Sequence, residues 1–155
     1  FNGERTPNLP DARGVILGLD GRNTTQPNLL RSAMEGATYA LRFGFDEMGA
    51  LGMSANEIVL TGGGVNSDTW RQVVADVFNA PVTILKNNEG AAFGAAMQAL
   101  AMLEGDDVDL AALTQAHLVK DEARCAEPRP SAVNLYNETY NEYQRAVEKV
   151  AALYS

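Results

Sequence analysis

The chain has 155 residues, of which 46% are apolar and 21% charged, a composition typical of a folded globular domain. The formal net charge of −8 argues against a general nucleic-acid binder, which would carry a basic face, and against an anionic membrane surface. One cysteine and one histidine supply neither an internal disulfide nor a Cys/His zinc cage, so we assign no metal ligands and expect a cytoplasmic location. The longest apolar run, residues 90–103, is too short to span a bilayer, and we expect no nucleic-acid or membrane partner.

The first third of the chain is predicted to contain a loop, a strand and a long helix. Residues 1–13 carry two prolines and are expected to form a loop, and residues 14–19 are expected to form a short strand. A helix over about 28–51 is predicted, with Gly49 and Gly52 as its terminators. Its apolar residues recur three and four apart and form one stripe: Leu30, Ala33, Met34, Ala37, Leu41, Phe45 and Met48.

Two more strands, at 57–61 and 82–85, alternate with helices. The helix after 57–61 is expected to be capped by Ser67 or Asp68, and its apolar face consists of Trp70, Val73, Val74, Val77 and Phe78. Further helices are predicted at 89–104 and at about 131–153, whereas residues 105–130 receive no assignment. Strands that alternate with helices indicate an α/β fold.

Three adjacent glycines follow the strand at 57–61, in the stretch IVLTGGGVNSDTW, residues 58–70. The absence of side chains at Gly62, Gly63 and Gly64 lets a ligand approach the backbone, and the next helix offers unpaired N–H groups to a phosphate. The alternative is a tight strand-to-helix turn without a ligand. Val65-Asn66 stands where a Walker motif needs Lys-Ser/Thr, and Ser67 replaces the third glycine of a dinucleotide fingerprint.

Small residues recur four apart in NEGAAFGAAMQA, residues 88–99. Gly90, Ala91, Gly94 and Ala95 lie on one side of the predicted helix, which indicates close packing against another element of a core. Polar residues within and beside this run favour a helix–helix contact in an aqueous protein over membrane dimerisation.

These two segments together resemble the nucleotide-binding domain shared by sugar kinases, actin and Hsp70 chaperones. A third segment, GVILGLDGRNTTQPNLLRSAME at 14–35, resembles the signature of the FGGY carbohydrate kinases. The matching residues are Gly14, Ile16, Gly18 and Leu19 at its start and Asn28, Leu29, Ser32, Ala33, Met34 and Glu35 at its end. The opening GERTPNLPDARG, residues 3–14, is similar to the segment that precedes this signature in xylulose kinases.

The resemblance implies an α/β fold, namely a partial RNase H-like domain of the actin, Hsp70 and sugar-kinase superfamily that lacks its first strands. The family's strand order is 3-2-1-4-5, of which this chain would supply strands 3, 4 and 5. Residues 1–155 would be the C-terminal portion of the second, nucleotide-binding FGGY domain, with residues 131–155 as a C-terminal helix. The chain starts at Phe1 rather than at methionine, and we interpret it as part of a longer protein.

By the same resemblance, the protein is an ATP-dependent carbohydrate kinase that converts D-xylulose to D-xylulose 5-phosphate with Mg²⁺. Gly62, Gly63 and Gly64 would line the α-phosphate and ribose of ATP or ADP, and Asn66 and Ser67 would lie near the base or ribose. The family's general base, an Asp, lies upstream of this segment, so we assign no catalytic residue, expect the chain alone to be inactive, and include a homodimer among the expected assemblies.

Two other function classes remain open at this stage. One is a dinucleotide-binding oxidoreductase module, and the other is a non-catalytic nucleotide-binding domain of the actin/Hsp70 type. The aspartates outside the glycine turn are interpreted as turn formers, helix caps or solvated loop residues rather than as a base or calcium ligands: Asp11, Asp20, Asp68, Asp106, Asp107 and Asp109. Trp70 is interpreted as a core anchor of its helix.

Overall fold

The computed structural model describes residues 3–86, 90–105 and 108–154. In chain order the helices and strands are α1 (Gln26–Ala50), β1 (Ile58–Leu60), α2 (Asp68–Phe78), β2 (Val82–Ile84), α3 (Gly90–Glu104), α4 (Leu110–His117) and α5 (Pro130–Ala151). Short 3-10 helices occur at Gly63–Asn66 and Glu122–Arg124. Among the described residues, none of the helices combines the length and the apolarity needed to cross a bilayer.

The chain divides into two compact units. The helical unit comprises Phe1–Ala55, Asp76–Asn79 and Pro128–Ser155, and the sheet unit comprises Asn56–Ala75 and Ala80–Glu127. Helix α2 begins in the sheet unit and supplies its last turn to the helical unit.

The sheet unit is built on β2. Strand β1 pairs with it in parallel, in the register Ile58 to Val82 and Leu60 to Ile84. On the other side of β2, residues 119–126 run antiparallel, and Val82 and Ala126 exchange two backbone hydrogen bonds of 2.8 and 3.0 Å. Neighbours occupy both edges of β2, and all three of its residues are buried. Residues 105–130, to which the sequence assigned no structure, therefore contain α4 and the antiparallel segment that pairs with β2.

Helix α2 begins as the sequence predicts. Ser67 Oγ accepts the Trp70 N–H at 3.2 Å, which confirms Ser67 as the cap. Val73 and Val74 are buried, as the apolar face requires, whereas Trp70 lies half-buried at the start of the helix.

The helical unit rests on the contact between α1 and α5. Tyr39 of α1 meets three α5 tyrosines, with ring centroids 6.3 Å from Tyr136, 5.7 Å from Tyr140 and 5.4 Å from Tyr143. These three positions have the spacing i, i+4 and i+7, so they share one face of α5. The Tyr39 hydroxyl lies 2.6 Å from Thr139 Oγ1, so the two hydroxyl groups form a hydrogen bond beside the aromatic contact.

An ion pair between a buried carboxylate, Asp76, and the largely exposed Arg129 fixes the start of α5. Asp76 is fully buried at the end of α2 and accepts hydrogen bonds from the Arg129 backbone N–H at 2.8 Å, Nε at 3.1 Å and Nη2 at 2.6 Å. Arg129 precedes the first residue of α5, so the carboxylate holds the point at which that helix begins.

The predicted strand at 14–19 is wrong. This stretch forms no strand, and its apolar side chains are 45–60% exposed: Val15, Ile16, Leu17 and Leu19. A strand needs a neighbour that accepts and donates its backbone hydrogen bonds, and within the described residues 14–19 joins no ladder.

The helix predicted over 28–51 is confirmed as α1, but its predicted apolar stripe is not its buried face. Leu30 and Leu41 are about three-fifths exposed, whereas Thr38 and Tyr39 are buried. The spacing of apolar residues identified the helix correctly, but the side that is buried here is the one that meets α5.

The predicted core packing of the small residues in α3 is also wrong. Gly90, Ala91, Gly94 and Ala95 are exposed, and Met97 is the buried residue of this helix. A Cβ placed on Gly94 would meet no heavy atom within 4 Å, so no neighbouring backbone makes use of the missing side chain among the described residues.

Candidate functional site

The glycine turn connects β1 to α2. Its first residue has a backbone conformation that only glycine readily adopts. Gly62 has φ +82° and ψ −166°, a backbone region closed to side chains of L-residues. A Cβ on Gly62 or Gly63 would meet no heavy atom within 4 Å, so the backbone of both residues is open to the approach of a ligand. Gly64 has a different role, because its missing Cβ would lie 3.6 Å from the Trp70 ring.

The turn is held closed by its own backbone and by one buried side chain. The Val65 N–H donates to the Gly62 carbonyl at 3.3 Å, and the Ser67 N–H donates to the Gly64 carbonyl at 3.2 Å. Val65 is fully buried. It anchors the turn in the core of the sheet unit, while Gly62 and Gly63 remain exposed.

Two arginines bind the main chain of this turn. Arg71 of α2 is buried and donates from Nη1 to the Val65 carbonyl at 2.5 Å and from Nη2 to Asp68 Oδ1 at 2.5 Å. Arg124 of the second 3-10 helix donates from Nη2 to the same Val65 carbonyl at 2.6 Å and to Asn66 Oδ1 at 3.1 Å. The turn is therefore rigid. Asp68 compensates the charge of Arg71, so the guanidinium of Arg124 is the charge beside the turn that would favour an anionic ligand.

Neither arginine was predicted from the sequence. The sequence did contain an indication of Arg71, since this charged residue follows Trp70 directly and lies next to the apolar face of α2. It contained no indication of Arg124, because this residue lies 58 residues from Asn66 in a segment without assigned structure.

The five candidate ligand residues all lie in the turn at 62–67. Gly62, Gly63 and Asn66 are exposed, and Gly64 and Ser67 are half-buried. The Trp70 ring lies beside Gly64 and is itself only half-buried, so the prediction of a core anchor is met only in part. The Ser67 hydroxyl oxygen accepts the Trp70 N–H, and its own proton remains available for an acceptor on a ligand. Backbone N–H groups at the start of α2 add a partial positive charge.

Two of the aspartates that were interpreted as turn or cap residues, Asp20 and Asp109, accept backbone N–H groups as such residues do. Asp20 Oδ1 accepts the Arg22 N–H at 2.7 Å and the Asn23 N–H at 2.9 Å, and these bonds, with the Arg22 side chain, hold the pKa of Asp20 below its usual value. Asp109 caps α4 by accepting the N–H groups of Ala111 and Ala112. Asp106 and Asp107 lie outside the described residues.

No metal centre accompanies the glycine turn in the part of the chain that the structure describes. Within residues 3–86, 90–105 and 108–154, no group of three or more His, Cys, Asp or Glu side chains could hold an ion. A charged cluster does lie just before β1, where Glu57 accepts from Thr83 Oγ1 at 2.7 Å and from Lys120 Nζ at 3.0 Å. These two hydrogen bonds lower the pKa of Glu57, and all three side chains satisfy one another, so we interpret the cluster as structural.

Known proteins resemble this chain along most of its length. The protein named xylulose kinase from Haemophilus influenzae is 43% identical over 143 residues, which are 92% of this chain and 29% of that protein. The chain thus spans less than a third of the length of this relative. Two solved structures from Lactobacillus acidophilus cover 94% of the chain with a TM-score of 0.77: a ligand-bound xylulose kinase, 28% identical over 29% of its length, and a gluconate kinase, 27% identical over 28% of its length.

These similarities confirm the predicted fold class, a partial domain of the actin, Hsp70 and sugar-kinase superfamily. They favour the carbohydrate-kinase interpretation over the dinucleotide-binding oxidoreductase and the non-catalytic alternative. A sequence model of the C-terminal domain of the FGGY family of carbohydrate kinases matches residues 1–103. The chain therefore belongs to the FGGY family of carbohydrate kinases, and its residues 1–103 match the C-terminal domain of that family.

Proposed function

We propose that this chain is the nucleotide-binding part of an ATP-dependent sugar kinase that converts D-xylulose to D-xylulose 5-phosphate. The observation that carries the proposal is the rigid glycine turn, in which Gly62 and Gly63 present open backbone between β1 and α2. A turn at the carboxyl end of a parallel strand is the usual position of a ligand in α/β proteins.

The turn fits the adenosine and α-phosphate end of ATP. Gly62 and Gly63 admit a phosphate or ribose to the backbone, and Asn66 and Ser67 offer side-chain hydrogen bonds beside it. MgATP, when bound, supplies the phosphoryl group that is transferred, with the metal neutralising its charge. The contribution of this chain is to hold and orient the nucleotide, because phosphoryl transfer depends mainly on positioning.

D-Xylulose is the proposed sugar because of the relative named xylulose kinase, which is 43% identical over 92% of the chain. The fold alone supports this choice less, because a gluconate kinase resembles the chain with the same TM-score as a xylulose kinase. We further propose that residues 1–155 are the C-terminal part of the second FGGY domain of a longer, cytoplasmic enzyme. Its general base lies in the remainder of that enzyme, so the chain alone would be inactive, and a homodimer is the proposed assembly.

The test of nucleotide placement is Gly63→Val in the full-length kinase. The added isopropyl group would occupy the open space over the turn, and we expect the KM for ATP to rise about tenfold or more, which corresponds to about 1.4 kcal/mol. The matched control is Gly36→Val, since Gly36 also has open space for a Cβ and no positive φ but lies in α1. An unchanged KM for ATP in an active Gly63→Val enzyme would contradict the placement.

A thermal-shift measurement separates the kinase from the remaining oxidoreductase alternative. MgADP is expected to raise the melting temperature of the protein, because a ligand that binds only the folded state stabilises it by mass action. Stabilisation by NAD without a response to MgADP would contradict the proposed function.

A further inference from the structure

The contact between Arg124 and Asn66 joins two segments that are far apart in sequence. Arg124 Nη2 lies 3.1 Å from Asn66 Oδ1 and 2.6 Å from the Val65 carbonyl oxygen. Arg124 is the last residue of the 3-10 helix that interrupts the antiparallel segment beside β2, so the sheet fixes where its guanidinium lies. Asn66 is exposed at the end of the glycine turn.

The chemistry of the two side chains determines which way the Asn66 amide faces. A guanidinium has only donors, so the amide atom that faces it must be the oxygen. The nitrogen Nδ2, with its two hydrogens, then occupies the other branch of the amide. Within the described part of the chain, Nδ2 meets no hydrogen-bond acceptor, which leaves both hydrogens available to a bound molecule.

Anchoring of the main chain does not by itself account for Arg124. The Val65 carbonyl already accepts a hydrogen bond of 2.5 Å from Arg71, which is buried and also paired with Asp68. Arg124 differs from Arg71 in that it also donates to the Asn66 side chain. Fixing a side chain before a ligand binds removes part of the entropy cost of ordering it at that moment.

We propose that Arg124 is a positioning residue for the nucleotide: it orients the Asn66 amide so that Nδ2 donates to an acceptor atom of the adenosine, a ribose oxygen or a purine ring nitrogen. This inference rests on the proposed function, because it requires the nucleotide to lie at the glycine turn. It assigns Asn66 as the residue that contacts the ligand, and Arg124 as a residue that acts through Asn66.

A double-mutant cycle in the full-length kinase tests the inference. We expect Arg124→Met and Asn66→Ala each to raise the KM for ATP about threefold to tenfold, the value of one hydrogen bond. The double variant is expected to be no worse than Asn66→Ala alone, since Arg124 has no effect once the amide is gone. The kcat and the KM for the sugar should stay unchanged, because the adenosine is bound equally in the ground and transition states.

Asn66→Asp provides a test that keeps Arg124 intact. The carboxylate still accepts from Arg124 but has no hydrogens to donate, so we expect the KM for ATP to rise at least as much as in Asn66→Ala. If Arg124→Met fails to fold, this variant still tests whether the Asn66 amide hydrogens bind the nucleotide, because residue 66 is exposed. Arg22→Met is the matched control for loss of a positive charge, since Arg22 is 93% exposed and lies in the helical unit.

Three results would overturn the inference: Asn66→Ala or Asn66→Asp with an unchanged KM for ATP, or effects of Arg124→Met and Asn66→Ala that multiply in the double variant. Gly63→Val, measured beside them, separates the two levels of the proposal. If Gly63→Val raises the KM for ATP while the Asn66 variants do not, only the role of the Arg124–Asn66 pair fails. If Gly63→Val also has no effect in an active enzyme, the nucleotide binds elsewhere and the proposed function of the turn fails as well.

Discussion

The helical unit and the glycine turn use polar side chains for different purposes. Between α1 and α5, side chains bind one another: Tyr140 donates to Asp46 at 2.7 Å, and Tyr136 donates to Glu35 at 2.7 Å. Around the glycine turn, Arg71 and Arg124 bind a main-chain carbonyl in addition to the side chains of Asp68 and Asn66. The first arrangement fills the space between two helices, whereas the second holds a backbone rigid and leaves the space above it open.

This difference implies that substitutions in the two regions will be detected by different measurements. Changes between α1 and α5 should lower the free energy of unfolding and leave the KM for ATP of the folded enzyme unchanged. Changes at the glycine turn should act on the nucleotide, with modest effects on stability. The following predictions test the division, beginning with the largest expected effect.

Tyr39→Ala should cost the most stability. Tyr39 is buried and contacts three α5 tyrosines, so truncation removes the centre of the aromatic cluster and leaves a cavity. We expect a loss of about 3–5 kcal/mol in the free energy of unfolding, measured by urea titration. Tyr39→Phe, which loses only the hydroxyl contact with Thr139, should cost about 1 kcal/mol. Equal losses in the two variants would show that ring packing does not hold the helices together.

Ser67→Ala should have a smaller effect, in the turn. Its hydroxyl accepts the Trp70 N–H at 3.2 Å, and loss of such a cap costs about 1 kcal/mol of unfolding free energy. Ser67→Asn keeps a side-chain acceptor at this position and should restore most of that stability. A loss in Ser67→Ala as large as in Tyr39→Ala would contradict the division between the two regions.

The sequence was sufficient where the signal was local. The helix α1, the glycines after β1 and the Ser67 cap all depend on residues within a few positions of one another, and all are found as predicted. The family resemblance rested on a pattern of fixed spacing over residues 14–35, and the match of the family over residues 1–103 confirms it.

The sequence failed where the outcome depends on a partner distant along the chain. Residues 14–19 have the composition of a strand but no neighbour to pair with among the described residues. The buried face of α1 is the one whose Tyr39 packs against Tyr136 and Tyr140, about a hundred residues away along the chain. Arg124 reaches Asn66 only because residues 119–126 pair with β2, and no local pattern indicates this pairing.

The last expected effect appears only at alkaline pH and concerns the tyrosines between α1 and α5. Burial, together with the hydrogen bond to Glu35, raises the pKa of Tyr136 from 10.0 to about 12, while the Arg31 side chain opposes the shift. The folded protein therefore keeps this proton at a pH where the unfolded chain has lost it. The contribution of Tyr136 to stability should be complete below about pH 10 and should be lost as the pH rises through about 12.

The measurement is the free energy of unfolding across this alkaline range, with tyrosinate formation followed by ultraviolet absorbance. Tyr136→Phe removes the titrating hydroxyl, so its stability should be lower near neutral pH but should fall less steeply above pH 10. Part of the decline should persist in this variant, because burial also raises the pKa of Tyr140. An equally steep decline in Tyr136→Phe would mean that the Tyr136–Glu35 contact does not protect the proton. The hydroxyl groups between α1 and α5 would then be solvated. The space between these helices would be open to water, as the space above the glycine turn is, and the two regions would not differ in this respect.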